Sequence, residues 1–537
     1  MTSHETIDEC SPRRRDLSRN DSVSTGWTDR LRLTRSTTAI VMVLSLLFLH
    51  LCNQPIWHTD VWGHLSYGKV IWDKKSIPKT EPLLPLSREI RFVDSPWLSQ
   101  LIGFGVISMP RLQMAGLQGL YALSVTCCGG MLCYWLFRQT QSAVFALVGL
   151  GVFIVPPWVC ILILRPQLAG LICYVLVLVR LSPMRPQRWD WILIPGIFLL
   201  WANLHPSFPI GLGLLGCLCA GRIVDRFEKT GSFALLGRDR RLRGLFGLTL
   251  VSAVATLANP YGQELHREVL RFSANPNLRD LTEWHALSIR DAAGQAFIAS
   301  VVILTWLGLK TPRRIRAWEF LLPVGLAVAS LWSVRMLVWW IPVCSLLIPR
   351  HASALWNSWA YRPVLPDTPR SFRWTIVSIA TASTCLVVSP LGQAVIADRH
   401  RDPSVTVSSY TPLIAARYLS ENPPTGMVFA TYEWSDYLQW AGPPGMKLLV
   451  NSHAHLVPPD VWRTYMQVIE LRSGWRESLD RYEVDLIVVD RAFRSGLIMN
   501  LEADPNWERL VEQDGQCLFR RVRSNSSETT KRDSLSE

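Results

Sequence analysis

Residues 37–52 read TTAIVMVLSLLFLHLC and residues 374–397 read WTIVSIATASTCLVVSPLGQAVIA, and neither run carries a charge. Each lies near the length at which a helix crosses the roughly 30 Å hydrocarbon core of a bilayer. Lipid offers no hydrogen bonds, so a crossing segment must pair its amides within itself, and these runs therefore read as helices. The chain of 537 residues is 49% hydrophobic and only 18% charged, and the apolar excess comes in blocks rather than being spread evenly. That pattern excludes an ordinary set of soluble domains.

Charge fixes the expected topology. The tail carries Arg13, Arg14, Arg15, Arg19, Arg30, Arg32 and Arg35, which places residues 1–35 in the cytoplasm as a disordered segment. About 35 polar residues precede the first apolar run, which therefore reads as a retained signal anchor and not a cleavable signal peptide. The basic loops 180–188, 222–243, 310–316 and 350–373 belong on the same side. Spans then fall near 37–52, 112–137, 143–162, 167–181, 190–204, 207–223, 244–259, 295–310, 317–334, 336–349 and 374–397, about eleven transmembrane helices within residues 36–397. The loop 53–97, the turn Asn203-Leu204-His205-Pro206, the loop 260–294 and everything after residue 397 come out on the outer face. The apolar piece 98–109 is one crossing too many; at twelve residues it would rise about 18 Å, and it reads as interfacial or re-entrant.

The net charge of +13 follows the loops and not one soluble face, so it is a topology signal and no nucleic-acid footprint. Many of the 24 Trp flank the apolar runs as interfacial anchors, Trp62 and Trp97 among them. Ten of the twelve Cys lie in or beside apolar runs and act as small hydrophobes, so no disulfide framework and no zinc site are expected.

From residue 398 the composition becomes that of a soluble domain. Strands are expected at 426–430, 447–451 and 484–489, helices at 459–471 and 475–482, and a hairpin turning at Asp514-Gly515, all in an α/β order. The predicted external domain is 398–523, with a disordered tail at 524–537. No nucleotide-binding glycine pattern and no repeat occur. His453, His455 and Asp460 could ligate a metal, since strand residues two apart share a face, and a polar loop after a strand explains them as well.

The chemistry concentrates in residues 57–100, WHTDVWGHLSYGKVIWDKKSIPKTEPLLPLSREIRFVDSPWLSQ. A carboxylate lies within a few residues of the first span's end, among His, Lys and Trp. That is the level at which a lipid phosphate presents its head group.

Here the motifs carry a resemblance. Asp60-Val61-Trp62-Gly63-His64-Leu65, Gly68-Lys69, Ile77-Pro78 and Trp97-Leu98 resemble the first external loop of bacterial membrane proteins of the GT-C glycosyltransferase superfamily, which includes relatives of oligosaccharyltransferases, protein O-mannosyltransferases and lipid A aminoarabinose transferases. Arg165-Pro166-Gln167, Trp201-Ala202-Asn203-Leu204-His205, Asn259-Pro260-Tyr261-Gly262, Glu283-Trp284 and the tail pattern Tyr432-Glu433-Trp434-Ser435-Asp436-Tyr437-Leu438 add to it. The resemblance implies a polyprenyl-phosphate-linked sugar as donor and a catalytic acid in the first loop. Asp60 matches that position and would be the base that deprotonates an acceptor hydroxyl. Asp94 is the candidate second acid. Lys69, Arg165 and His205 are candidates for the phosphate side, and His64 for orienting the carboxylate. Where such loops commonly carry Asp after Ile77-Pro78, this chain has Glu81, which stays outside the predicted site. A carboxylate pair with His could hold a divalent cation or simply pair with Lys and Arg; no metal ligand set is assigned. Glu264, His266, Glu268, Asp280, Glu283 and His285 receive no role.

The expected activity is transfer of a sugar from a polyprenyl-phosphate lipid to an unknown glycan, lipid or protein acceptor, on the outer face of the cytoplasmic membrane, in building the cell envelope. Two rivals remain. A transporter or flippase would bury ionisable residues at mid-membrane, whereas the spans are almost free of Asp, Glu and Lys and Arg335 lies between two of them. A non-catalytic membrane protein of the same fold, binding partners in envelope assembly, is the other, because a fold hosts unrelated functions.

Overall fold

A computed structural model describes residues 31–57, 59–154, 162–359 and 369–522. Up to residue 397 the described chain is helical. In order the helices are α1 (Arg35–Cys52), α2 (Asp60–Lys74), α3 (Trp97–Ser108), α4 (Gln113–Thr140), α5 (Ala143–Phe153), α6 (Gln167–Leu181), α7 (Asp190–Leu204), α8 (Phe208–Thr230), α9 (Arg240–Ala255), α10 (Gln263–Phe272), α11 (Ala292–Lys310), α12 (Trp318–Trp332), α13 (Leu337–Trp359), α14 (Phe372–Val388) and α15 (Pro390–Ala397).

The chain is a multi-pass membrane protein. Among the described residues α1, α4, α8 and α11 are each long and apolar enough to cross a bilayer, and α14 with α15 forms a fifth apolar unit bent by 78°. A helix lies near each of the eleven expected ranges, yet length alone supports only these four or five crossings. The helices α5, α6, α7 and α12 have 11 to 15 residues and rise about 16 to 22 Å at 1.5 Å per residue. Proline explains some of these ends: Pro206 disfavours helical backbone at His205, where α7 stops, and Pro166 opens α6.

The basic loops gather at one end of the bundle. Arg316 donates to the Ser182 carbonyl (3.2 Å), Arg314 pairs with Glu228 (2.6 Å) and Arg222 with Asp239 (2.6 Å). Leu33, ahead of α1, bridges to Ser371, ahead of α14, so the N-terminal approach to α1 and the start of α14 lie together. The opposite end holds the 53–97 loop, the 203–206 turn, the 260–294 loop and the C-terminal region, joined by contacts described below.

The C-terminal region is built on a five-stranded sheet: β1 (Met427–Ala430), β2 (Lys447–Leu448), β3 (Val484–Asp490), β4 (Trp507–Gln513) and β5 (Gln516–Arg521). Their order is β2-β1-β3-β5-β4, parallel among the first three and antiparallel beyond. Helices α16 (Leu413–Glu421), α17 (Tyr432–Ala441), α18 (Pro459–Ile469), α19 (Trp475–Arg481) and α20 (Arg491–Glu502) pack around it. Leu486, Ile487, Val488 and Val489 of β3 are all buried, as a strand covered on both faces requires. Asp514 and Gly515 have φ of 49° and 78°, the positive values that a tight two-residue hairpin needs.

This region is seated on the first loop. Trp62, 2% exposed, packs edge-on against Tyr437 of α17 at 5.0 Å, so it is an internal anchor and not the interfacial one expected. At Gly63 a Cβ would stand 2.9 Å from Asp436 Oδ1, and at Gly68 it would overlap the Gln100 carbonyl. Helix α2 is thus wedged between α17 and α3, and two glycines permit it. Ile56 bonds Thr406 and Ser408 (2.9 Å each), while Asn277 Nδ2 donates to the carbonyls of Ala454 (2.8 Å) and Val457 (2.9 Å).

Candidate functional site

A cavity of about 980 Å³, with a cluster of charged and polar side chains in its wall, lies between the bundle and the C-terminal region. Its lining includes Asp60, His64, Asp94, Gln100, Arg165, His205, Glu283, Arg335, Ser452, His453 and His455. Five of the six expected site residues converge there from four separate segments. The sixth, Lys69, does not. On a helix turning 100° per residue, His64 lies 40° from Asp60 and faces the same way, whereas Lys69, nine positions on, lies 180° away. It is exposed and pairs with Asp73 at 2.6 Å.

Asp60 opens α2, where the helix dipole favours a carboxylate. Its Oδ2 is 3.4 Å from Arg165 Nε. Arg165 Nη1 donates to Glu283 Oε2 (2.7 Å), and the other Glu283 oxygen accepts from Arg335 Nη1 (2.7 Å). The result is a chain of alternating charge, Asp60–Arg165–Glu283–Arg335, with Arg335 also over the Trp284 ring at 5.0 Å. Burial pushes the Glu283 carboxyl up, but Arg335 and Arg165 outweigh it and hold it below its ordinary value. Burial likewise opposes the Arg165 charge, and Asp60 and Glu283 more than restore it. Neither Glu283 nor Arg335 was assigned a role from sequence. Glu283-Trp284 was a visible motif, yet only the fold shows that its carboxylate joins two arginines from other segments.

His205 has a defined tautomer. Trp201 Nε1, which can only donate, reaches Ser207 Oγ (3.0 Å); the hydroxyl is then free to donate to His205 Nδ1 (2.7 Å), which also accepts from the Ser207 amide (3.2 Å). Nε2 therefore carries the proton and is a donor. Burial, followed by Arg335 and Arg165, pushes the imidazole well below its ordinary pKa, so it is neutral. His64 is neutral for similar reasons, burial first and His453 second; their rings meet at 5.0 Å.

Asp94 is wholly buried. Gln100 Nε2 donates to its Oδ1 (2.9 Å) and also reaches His64 Nδ1 (3.4 Å), while the Asp94 amide donates to the Tyr261 hydroxyl (3.0 Å). Asp94 Oδ2 and Gln100 Oε1 are buried and have no hydrogen-bond partner among the described residues. Burial drives the Asp94 carboxyl well above its ordinary pKa. The shift favours the protonated, hydrogen-bond-donating form of this carboxyl. Glu81, left outside the site, serves the loop: it accepts from Tyr67 and from the Leu83 and Leu84 amides at 2.8, 2.8 and 3.2 Å.

The scattered motifs now have jobs. Asn203 accepts from Trp97 Nε1 (3.1 Å) and donates to the carbonyls of Leu199 (2.8 Å) and Ala258 (2.9 Å), so it ties three segments together beside His205. Asn259 accepts from the Tyr261 amide (2.8 Å), and Tyr261 in turn holds Asp94. His453 and His455 line the cavity roof, and among the described residues no group of three or more His, Cys, Asp and Glu stands close enough to hold a metal.

A second, largely apolar groove of about 850 Å³ adjoins the cavity. Val61, Leu65, Ile102, Leu117, Leu120, Leu168 and Ile172 line it, and it shares His64, Gln100, Arg165 and Pro166 with the first cavity.

No family model and no curated protein matches the chain. Solved structures do. The arabinofuranosyltransferase AftD from Mycobacteria matches over 92% of this chain at 13% identity and a TM-score of 0.48, and the chain spans 40% of AftD's length. ArnT from Cupriavidus metallidurans matches over 93% of this chain and 99% of its own at 13% identity, with TM-scores of 0.49 bound to undecaprenyl phosphate and 0.51 in the apo state. At that identity the likeness to apo ArnT speaks to fold and leaves activity to the chemistry of the site. The chain has the fold of ArnT, a GT-C glycosyltransferase, the class that its first-loop motifs resemble.

Proposed function

We propose that the chain is a glycosyltransferase that moves a sugar from a polyprenyl-phosphate-linked donor to an acceptor on the outer face of the cytoplasmic membrane. One observation carries this reading: the cavity holding Asp60 lies next to an apolar groove, and the two share His64, Gln100, Arg165 and Pro166 in their linings. A lipid phosphate has that same division, an apolar chain joined to an anionic head. The groove suits the chain, and Arg165, Arg335 and the His205 Nε2 proton suit the phosphate. The solved ArnT structure with undecaprenyl phosphate is a precedent for such a ligand on this fold.

In this reaction Asp60 takes the proton of an acceptor hydroxyl, and the hydroxyl oxygen bonds to the sugar's anomeric carbon. The bond from that carbon to the phosphate oxygen breaks, and its electron pair leaves with the lipid phosphate. Arginine and imidazole donors fixed beforehand stabilise the leaving charge. Glu283 balances the charge of the two guanidiniums that it joins. The 53–97 loop, residues 398–523 and the N-terminal tail are assigned to the outer face, the outer face and the cytoplasm respectively.

The test compares the envelope glycans of cells carrying wild type and Asp60→Asn. The expected result is loss of one glycan modification with unchanged protein level. An unaltered glycan inventory at normal expression would remove Asp60 from catalysis.

A further inference from the structure

Behind Asp60 lies another cavity, about 1470 Å³, between the first loop, the segment holding Asp280 and Thr282, and the C-terminal region. Thr59 lines this space and Asp60 lines the first, so two consecutive residues form part of the partition between them. The Asp60 charge is felt on the far side, at Tyr432 and Glu433.

Its composition differs from that of the first cavity. Tyr410 and Phe493 are 52% and 66% exposed, with rings 6.0 Å apart and inclined by 35°. Two neighbouring aromatic faces left in water forgo burial that the fold gives to most of its aromatics, and such a patch marks a contact surface. Trp57 joins the lining on the first-loop side. Deeper in stand Glu433, beside the Tyr432 hydroxyl, and Arg494. Arg494 sits at a break in α20, with φ −127° and ψ 29°, and its Nε is buried with no hydrogen-bond partner among the described residues. A buried N–H without an acceptor is costly, and the cavity is where an acceptor can arrive. The other acids of this wall are already engaged: Asp280 accepts from Trp462 Nε1 (2.9 Å), and Asp490 caps α20.

We propose that this cleft binds the acceptor of the transfer reaction and that the acceptor is a saccharide. A sugar ring has apolar C–H faces and a rim of hydroxyls. The faces stack on Tyr410, Phe493 and Trp57, and the rim bonds to Glu433 and Arg494, with Thr59 at the edge that adjoins Asp60. This rests on the glycosyl-transfer reading and adds no chemical step to it.

The experiment uses the full-length protein in detergent, probed with an array of bacterial envelope saccharides and, separately, with undecaprenyl phosphate. Wild type is expected to bind one saccharide class. Phe493→Ala and Arg494→Gln are each expected to weaken that binding by about tenfold or more, with undecaprenyl phosphate binding unchanged. Absence of any saccharide binding overturns the proposal, as does binding indifferent to both substitutions. So does a result in which the substitutions change only association with lipid vesicles, which would make the aromatics membrane anchors. Saccharide binding lost in Arg494→Gln, in a protein that never binds undecaprenyl phosphate, supports the cleft and overturns the donor reading instead.

Discussion

At the residue scale the site depends on Arg165 serving two carboxylates at once. Its planar fork reaches Asp60 with Nε and Glu283 with Nη1. A lysine is a point charge and cannot span both. Arg165→Lys is therefore expected to lower transfer on the order of 10²-fold, measured as glycan product per mole of protein, while the melting temperature changes little. A second prediction concerns His453, which burial lowers to about 4 despite the pull of Asp60. Its folded pKa is below the unfolded value of roughly 6.5, so the unfolded chain binds more protons and stability falls as the pH drops from about 6.5 towards 4. His64 and His455 act in the same direction, whereas Asp94 and Asp436, raised by burial, act oppositely as the pH climbs above the ordinary carboxylate range. His453→Gln removes one contribution of known sign: its melting temperature should decline less than wild type's between pH 6.5 and pH 4.5, by thermal unfolding in detergent. An identical decline would mean that His453 is not buried neutral.

At the element scale α2 shows what the sequence could and could not say. The sequence suggested only a loop at 53–97 and a shared motif grouped Asp60, His64 and Lys69; the helix found there puts Asp60 and His64 on one face and Lys69 on the other. Asp94 and His205 were legible as polar residues beside apolar runs. The Glu283–Arg335 pair was not, because a contact 52 residues apart leaves no periodic trace. Trp62 misled for a related reason: a tryptophan near a span end looks the same whether it meets lipid or α17. The buried helix face yields a prediction. Gly68→Ala pushes a methyl into the Gln100 carbonyl and should cost about 1–3 kcal/mol by thermal unfolding. Lys69→Ala on the opposite face should change stability by less than about 0.5 kcal/mol and leave transfer intact.

At the scale of the whole molecule, hydropathy and charge were enough to gather the basic loops at one end and the loops of the candidate site at the other. They could not fix the number of crossings, since α5, α6, α7 and α12 are shorter than a bilayer is thick. Orientation is open to direct measurement in a variant without native cysteines. A thiol introduced by Tyr410→Cys is expected to react with an impermeant maleimide on intact cells, and one introduced by Arg314→Cys only after the membrane is opened. The reverse pattern would place Asp60 in the cytosol and end the proposed reaction.

The roof formed by Ser452, His453 and His455 has a consequence for biogenesis. These residues leave the ribosome after every helix of the bundle, so a nascent chain stalled before residue 451 has its charged loops and its carboxylate but no closed chamber. Competence would then arrive only when the last part of the polypeptide has folded back onto the first.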